Sequence, residues 1–177
     1  MTKTRAFLMV LLAMLVCSQT TRAQSMSTFS LSSAAPSAHF ETTDGKNPSS
    51  EPYLEKNRII LLFIPAQYEN EGSGYLKHLS EREKDLTDRE LKIFVVVGTE
   101  SPLQKESFGP HIIVASKCDP MPTSMSPNSD SGPIFVLIGK DKNIKLREQK
   151  FVSEKALFAT IDAMPMRRSE IKAKTAP

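Results

Sequence analysis

The chain has 177 residues, with 23 Lys and Arg against 20 Asp and Glu, so its formal charge is only +3. That balance lacks the basic surplus that would point to nucleic acid, and the length admits one domain with one core beside flanking segments. Two cysteines in the whole sequence exclude a framework of internal disulfides, and no Cys-x-x-Cys pair is present.

Lys3 and Arg5 precede Ala6 to Val16, eleven residues without charge, and the small-residue site Thr21-Arg22-Ala23 follows before Gln24. The run is too short to span a bilayer, and the order basic, apolar, small is that of a cleaved signal peptide over residues 1–23. Val16 stands where a lipoprotein would carry a small residue before Cys17. Cleavage removes Lys3, Arg5, Arg22 and Cys17, leaving 20 basic residues against 20 acidic and Cys118 as the single thiol. The expected setting is therefore extracellular, or periplasmic in a bacterium, with no stable membrane insertion once the leader is gone. In an oxidising compartment Cys118 is buried, capped, or the link of a disulfide-bonded dimer.

Residues 24–52 are rich in Ser, Thr, Ala and Pro and poor in large apolar side chains. This composition predicts a flexible tail that buries too little surface to offset its ordering entropy. His39 falls within it and reads as solvated. Asn47-Pro48-Ser49 has proline at its centre and is not a glycosylation site.

The domain, residues 53–170, begins with Arg58-Ile59-Ile60-Leu61-Leu62-Phe63-Ile64-Pro65, an unbroken apolar run between a basic residue and a proline. Such a run predicts a central strand of a parallel sheet, buried on both faces. A loop through Pro65 to Gly74 is expected next, then an amphipathic helix from Tyr75 to about Glu90, laid on the sheet by Leu76, Leu79 and Leu86. Leu91 to Val97 predicts a second strand, parallel to the first through a right-handed crossover. His111 to Ala115 reads as a short strand, and Cys118 to Ser131 as a surface loop rich in Pro, Ser and Met. Ile134 to Ile138 follows Gly132-Pro133 as a third strand. Gly139 to Asn143 has turn chemistry, and Ile144-Lys145-Leu146 alternates as a hairpin partner. A helix capped by Ser153, with Phe151 as a staple, should run to a break at Pro165, with residues 171–177 as a tail.

A βαβ unit, a hairpin and a terminal helix give an α/β, thioredoxin-like order, with helices flanking the sheet. Arg58 to Pro65, Val136-Leu137-Ile138-Gly139-Lys140-Asp141, Ile144-Lys145-Leu146-Arg147 and Ile161-Asp162-Ala163-Met164-Pro165-Met166-Arg167-Arg168 also carry a resemblance. They resemble a peroxiredoxin-related domain of unknown function, shared by small secreted bacterial proteins and the C-terminal regions of sushi-repeat and related animal extracellular-matrix proteins. The resemblance implies a thioredoxin-like fold and an extracellular role, with no catalytic assignment to carry over.

The residues agree with that absence. Thiol enzymes of this fold place a cysteine after the first strand, at a helix N-terminus that stabilises the thiolate. Pro65 to Tyr75 holds none. Cys118 is the alternative redox thiol, with Lys117 beside it to lower its pKa and Asp119 to oppose that. Gly72-Ser73-Gly74 has the form of an anion nest, but Glu69 and Glu71 repel phosphate, and Ser73 more simply starts or caps the helix. His78 and His111 form no metal motif, no cofactor motif is present, and Glu83, Asp85 and Asp88 lie on a charged helix face. From Lys140 to Lys174, ten basic residues (Lys140, Lys142, Lys145, Arg147, Lys150, Lys155, Arg167, Arg168, Lys172, Lys174) face five acids. That local excess could attract an anionic glycan or an acidic extracellular protein. Two functions are in view: a non-catalytic thioredoxin-like binding module, or an atypical thiol oxidoreductase or peroxide-reducing protein working through Cys118.

Overall fold

The computed structural model describes residues 37–42, 44–46, 48–119 and 132–175. The expected leader, the first part of the tail and residues 120–131 of the expected loop lie outside the described residues. In chain order the elements are β1 (His39–Glu41), β2 (Arg58–Phe63), α1 (Glu69–Glu81), α2 (Glu83–Asp88), β3 (Leu91–Val96), β4 (Ile112–Ala115), β5 (Lys117–Asp119), β6 (Ile134–Ile138), β7 (Ile144–Glu148), α3 (Glu154–Asp162) and α4 (Pro165–Thr175).

All six residues of β2 are buried, as an unbroken apolar run demands. It is the middle strand of a five-stranded sheet ordered β4-β3-β2-β6-β7. β2 runs parallel to β3 and β3 parallel to β4, whereas β6 lies antiparallel to β2 and to β7. The sheet is thus mixed rather than parallel, because the chain returns to β2's other edge as one arm of the β6–β7 hairpin.

Side chains alternate between the two faces with the period of two that a strand imposes. Ile60, Leu62 and Ile64 join Leu91, Ile93, Val95, Phe135 and Leu137 on one face, covered by Leu76 and Leu79 of α1, Leu86 of α2 and Leu157, Phe158 and Ile161 of α3. Ile59, Leu61 and Phe63 join Phe94, Val96, Ile134, Val136 and Ile138 on the other. That second face is covered by the segment expected to be a flexible tail. Phe40 of β1 is 1% exposed and stacks on Phe94 at a centroid distance of 4.4 Å. Ala38 is buried beside it, and Ser50 Oγ accepts the Ala38 N–H at 2.9 Å. Part of the expected tail, with Phe40 buried in it, therefore belongs to the folded domain, which the segment's average composition concealed.

Three further expectations change. The first helix starts at Glu69 and runs through Gly72 and Gly74 to Glu81, with α2 as a separate turn-and-a-half, so Ser73 is a helical residue and caps nothing. Gly72 is there because α1 lies close on the end of β2: a Cβ at this position would stand 2.9 Å from Ile64 Cδ1. Cys118 belongs to β5, paired with β1 through Phe40 opposite Cys118, and is not in a loop. The chain also does not end its helical structure at Pro165. Proline is well suited to the first position of a helix, where its missing N–H loses nothing, and α4 starts there and runs through the expected tail to Thr175. Ser153 caps α3 as expected, its Oγ accepting the Ala156 N–H at 3.4 Å.

Phe40→Ala should cost about 3–5 kcal/mol in urea unfolding, the ordinary penalty for emptying a buried aromatic site. A change under about 0.5 kcal/mol, the size expected of a surface residue, would show that the N-terminal segment is not part of the core.

Candidate functional site

In the thioredoxin-like plan the functional position is the end of the first central strand, where β2 passes into α1. Pro65 is extended and leads into a short 3-10 turn, Ala66–Tyr68, closed by the Tyr68 N–H donating to the Pro65 carbonyl at 2.9 Å. The loop at Gly132-Pro133 lies beside this turn: a Cβ on Gly132 would stand 3.9 Å from the Tyr68 hydroxyl. The two loops that frame an active site in this fold are therefore in place, but the residues between them are Pro65, Ala66, Gln67, Tyr68 and Glu69. None is a thiol or a strong nucleophile. Glu69 and Glu71 in the first turn of α1 complement the helix dipole, so the positive end of the helix is already answered by carboxylates.

Cys118 sits elsewhere, on the face of the sheet opposite the helices, packed with Phe40, Phe94 and Ala115. Burial first, and then the neighbouring Asp119 carboxylate, push its pKa up to about 11. Lys117, which could have favoured the thiolate, points to Glu41 at 3.9 Å and is largely exposed. At neutral pH the group is a protonated, apolar filler.

The remaining candidates also have structural partners. Ser73 Oγ donates to the Glu106 carboxylate at 3.3 Å, and Lys77 meets the same carboxylate at 3.2 Å. His111 Nδ1–H donates to the Leu91 carbonyl at 2.9 Å, and Nε2 lies 3.0 Å from the Thr87 hydroxyl. His78 is exposed and lies 3.8 Å from Glu81. Among the described residues no three His, Cys, Asp or Glu side chains are arranged to hold a metal ion, and no helix is long and apolar enough to cross a membrane.

The basic residues near the C-terminus are answered by acids. At least six of the ten form ion pairs inside the domain, Lys142, Lys145 and Lys150 with separate acids and Lys140, Arg167 and Lys174 in one network. Lys140 and Arg167 share Glu170 with Arg58, 1% exposed, whose two terminal nitrogens donate to the Glu170 carboxylate at 3.2 and 3.1 Å, one of them also to the Arg89 carbonyl at 3.0 Å. Lys140 donates to the same carboxylate at 2.8 Å and also meets Glu90. Arg167, 3% exposed, joins Asp88 and Asp162, and Arg89 reaches Asp162 at 2.6 Å while stacking over Phe158 at 4.4 Å. Asp85 and Asp88 are thus part of this network, whereas Glu83 stays on the solvated face.

The profile of the domain of unknown function DUF4174 matches residues 51–170. The chain belongs to that family. The DUF4174 fold is similar in solved structures to the exposed lipoprotein thioredoxin Etrx1 of Streptococcus pneumoniae strain TIGR4, with 12% identity, 73% of this chain and 100% of that chain covered and a TM-score of 0.53. It is likewise similar to the reduced 2-Cys peroxiredoxin of Plasmodium vivax, with 17% identity, 77% and 96% covered and a TM-score of 0.55. A yeast mitochondrial 1-Cys peroxiredoxin aligns at 16% identity over 80% of this chain and 76% of its own, with a TM-score of 0.56. At these identities the likeness establishes a thioredoxin-like fold and leaves the chemistry to the residues. No curated protein matches the sequence.

Burial works to raise the Glu170 pKa, but hydrogen bonds from Lys140 and Arg58 outweigh it and hold the carboxyl below its ordinary range. A carboxyl depressed in the folded state stabilises fully above its unfolded pKa, about 4.3, and loses that contribution as pH falls through the lower folded value. Glu170→Gln should cost about 3 kcal/mol at pH 7, the lower end for stripping a partner from a buried charge. It should also flatten the acid limb of the stability curve below pH ~4.3. An unchanged acid limb would remove Glu170 from the network.

Proposed function

We propose that this DUF4174 chain is a secreted, non-catalytic thioredoxin-like module that binds another macromolecule in the extracellular or periplasmic space. One observation carries the reading: the strand-to-helix turn at Pro65–Glu69 keeps its place beside Gly132-Pro133 but holds no thiol, while Cys118 is buried in a different wall of the domain. A redox enzyme needs an accessible, acidic thiol, and Cys118 has the opposite properties on both counts. The leader-like residues 1–23 and the resemblance to domains of secreted bacterial and matrix proteins support the compartment. Ion pairing of at least six of the ten C-terminal cations argues for a partner recognised by something other than a concentrated positive face.

The test is the pH dependence of iodoacetamide alkylation on the folded protein, run with a peroxide-reduction assay. Alkylation should stay slow at pH 7 and rise only toward pH 11, and Cys118→Ser should leave the absence of peroxide turnover unchanged. A midpoint below the free-thiol value of about 8.5 with turnover lost in Cys118→Ser would replace this reading with the thiol oxidoreductase. The same raised pKa has a second consequence. Unfolded chains ionise Cys118 first, so its contribution to stability is complete below about pH 8.5 and is lost as pH rises toward the folded value. Comparison of wild type with Cys118→Ser between pH 8 and 11 isolates that term.

A further inference from the structure

α4 closes the domain without entering its core. Among the described residues its one buried side chain is Arg167, and no residue of Pro165–Thr175 belongs to either apolar cluster. The last apolar anchor is Met164, just before the helix, which packs against the helix-side core. Met166 and Ile171, by contrast, are 49% and 37% exposed. A helix of 11 residues is marginal alone in water, so its docking has to come from its polar contacts.

Those contacts run through three carboxylates on three helices. Glu170 of α4 holds Arg58 of β2 and Lys140 of the β6–β7 turn. Asp88 at the end of α2 holds Arg167 and, at 2.7 Å, Lys174. Asp162 at the end of α3 holds Arg167 at 3.3 Å and Arg89 at 2.6 Å. The neutral share is smaller: the Asp88 carbonyl accepts one Arg167 N–H at 2.8 Å. The other charges facing this seam are Glu90 on Lys140, Asp85 on Arg89, and the Asp141–Lys145 pair, which lines a cavity of about 140 Å³ together with Arg58, Pro165 and Met166.

Such a seam is stable in one direction of pH only. Arg167 also lies 3.6 Å from Glu170, so the cations Arg58, Arg89, Lys140, Arg167 and Lys174 are held together by shared anions. Protonating the carboxylates removes the attraction and leaves those cations facing one another, with Arg58 stripped of its partner while buried. Undocking α4 relieves this by admitting water. The two apolar layers on the sheet have no such dependence. The hydrogen bond from Lys174 and, against burial, that from Arg167 hold the Asp88 carboxyl below its ordinary range; Glu170 is lowered by Lys140 and Arg58 in the same way. The docked form therefore binds fewer protons than the open one. Its advantage is complete above the ordinary carboxylate values of about 4 and is lost as pH falls through the lowered ones.

We propose that α4 is an acid-released strap: protonation of Asp88, Asp162 and Glu170 undocks it as one unit from a domain that stays folded, and uncovers Arg58 and Lys140. The hinge is the junction after Met164, where apolar anchoring stops. The inference goes beyond the binding-module reading and does not rest on it.

The experiment is a two-dimensional NMR titration of the full chain from pH 7 to pH 2. The amides of Arg167 to Lys174 should move together to random-coil positions with one midpoint below about pH 4, while the amides of β2, β3 and β6 keep their native positions at that midpoint. Asp88→Asn combined with Glu170→Gln fixes two of the carboxylates in their uncharged form and should raise the open population at pH 7 by about tenfold or more. Lys174→Glu, at an exposed position, should raise the midpoint and tests the strap even where the double variant does not fold. Lys172→Glu makes the same charge change on the outer face and should leave the open population within about twofold. Loss of α4 and the core in a single transition overturns the inference, as do α4 amides that stay native until the domain unfolds. Fraying that starts at Thr175 and reaches Arg167 only at lower pH, a double variant as closed as wild type, or equal midpoints for Lys174→Glu and Lys172→Glu would also overturn it.

Discussion

A strand buried on both sides has to be covered twice, and β2 sets that requirement for the whole domain. Its six residues offer no polar face to water, so each set of alternate side chains needs its own layer. Helices α1, α2 and α3 supply one layer in the manner of any α/β unit. The other comes from a short N-terminal segment and from β5, which place Phe40, Ala38 and Cys118 over Phe94 and Ile59. Cys118 is therefore committed to packing by the same constraint that makes β2 a central strand. Exposing the thiol for chemistry would uncover Phe40 and open the second layer.

The first residue of β2 adds a second requirement. Arg58 continues the buried strand with a guanidinium, and an isolated charge in that position would be costly by several kcal/mol. Glu170 answers it in bidentate geometry, the arrangement that planar guanidinium favours. Glu170 stands on α4, a helix whose buried residue is Arg167 and which carries little apolar surface of its own. Its attachment depends on charge rather than on hydrophobic area. Arg167 and Lys174 of this basic helix are answered by Asp88 and Asp162, while Arg168 and Lys172 are exposed.

What was legible in the sequence follows the same division. Runs such as Ile59 to Ile64, Leu91 to Val97 and Ile134 to Ile138 announce strands because burial on both faces removes every polar residue from them. The absence of a thiol between Pro65 and Tyr75 was also readable, since it needs no geometry. Averages hid the rest. Phe40 was lost in a Ser- and Thr-rich segment whose composition reads as tail. Gly72 and Gly74 look like a loop until the approach of α1 to Ile64 gives one of them a reason to lack a Cβ. A count of ten cations against five acids treats Lys140 to Lys174 as isolated, whereas Glu90, Asp88 and Glu55 answer four of those cations, Lys140, Lys142, Arg167 and Lys174, from earlier parts of the chain. Only Arg58, a charge at the head of an apolar run, carried a signal that a long-range carboxylate had to exist.

The second layer is built on backbone pairing within a short N-terminal segment. β1 is short because the chain must turn back at Thr42 to bring Pro48 and Ser50 alongside it, where Phe40 N–H donates to the Pro48 carbonyl at 2.8 Å and Ser50 N–H to the Ala38 carbonyl at 2.9 Å. A longer β1 would lose that return segment and the hydrogen bond from Ala38 N–H to Ser50 Oγ, so the second layer satisfies its backbone within the N-terminal segment rather than by extending the strand.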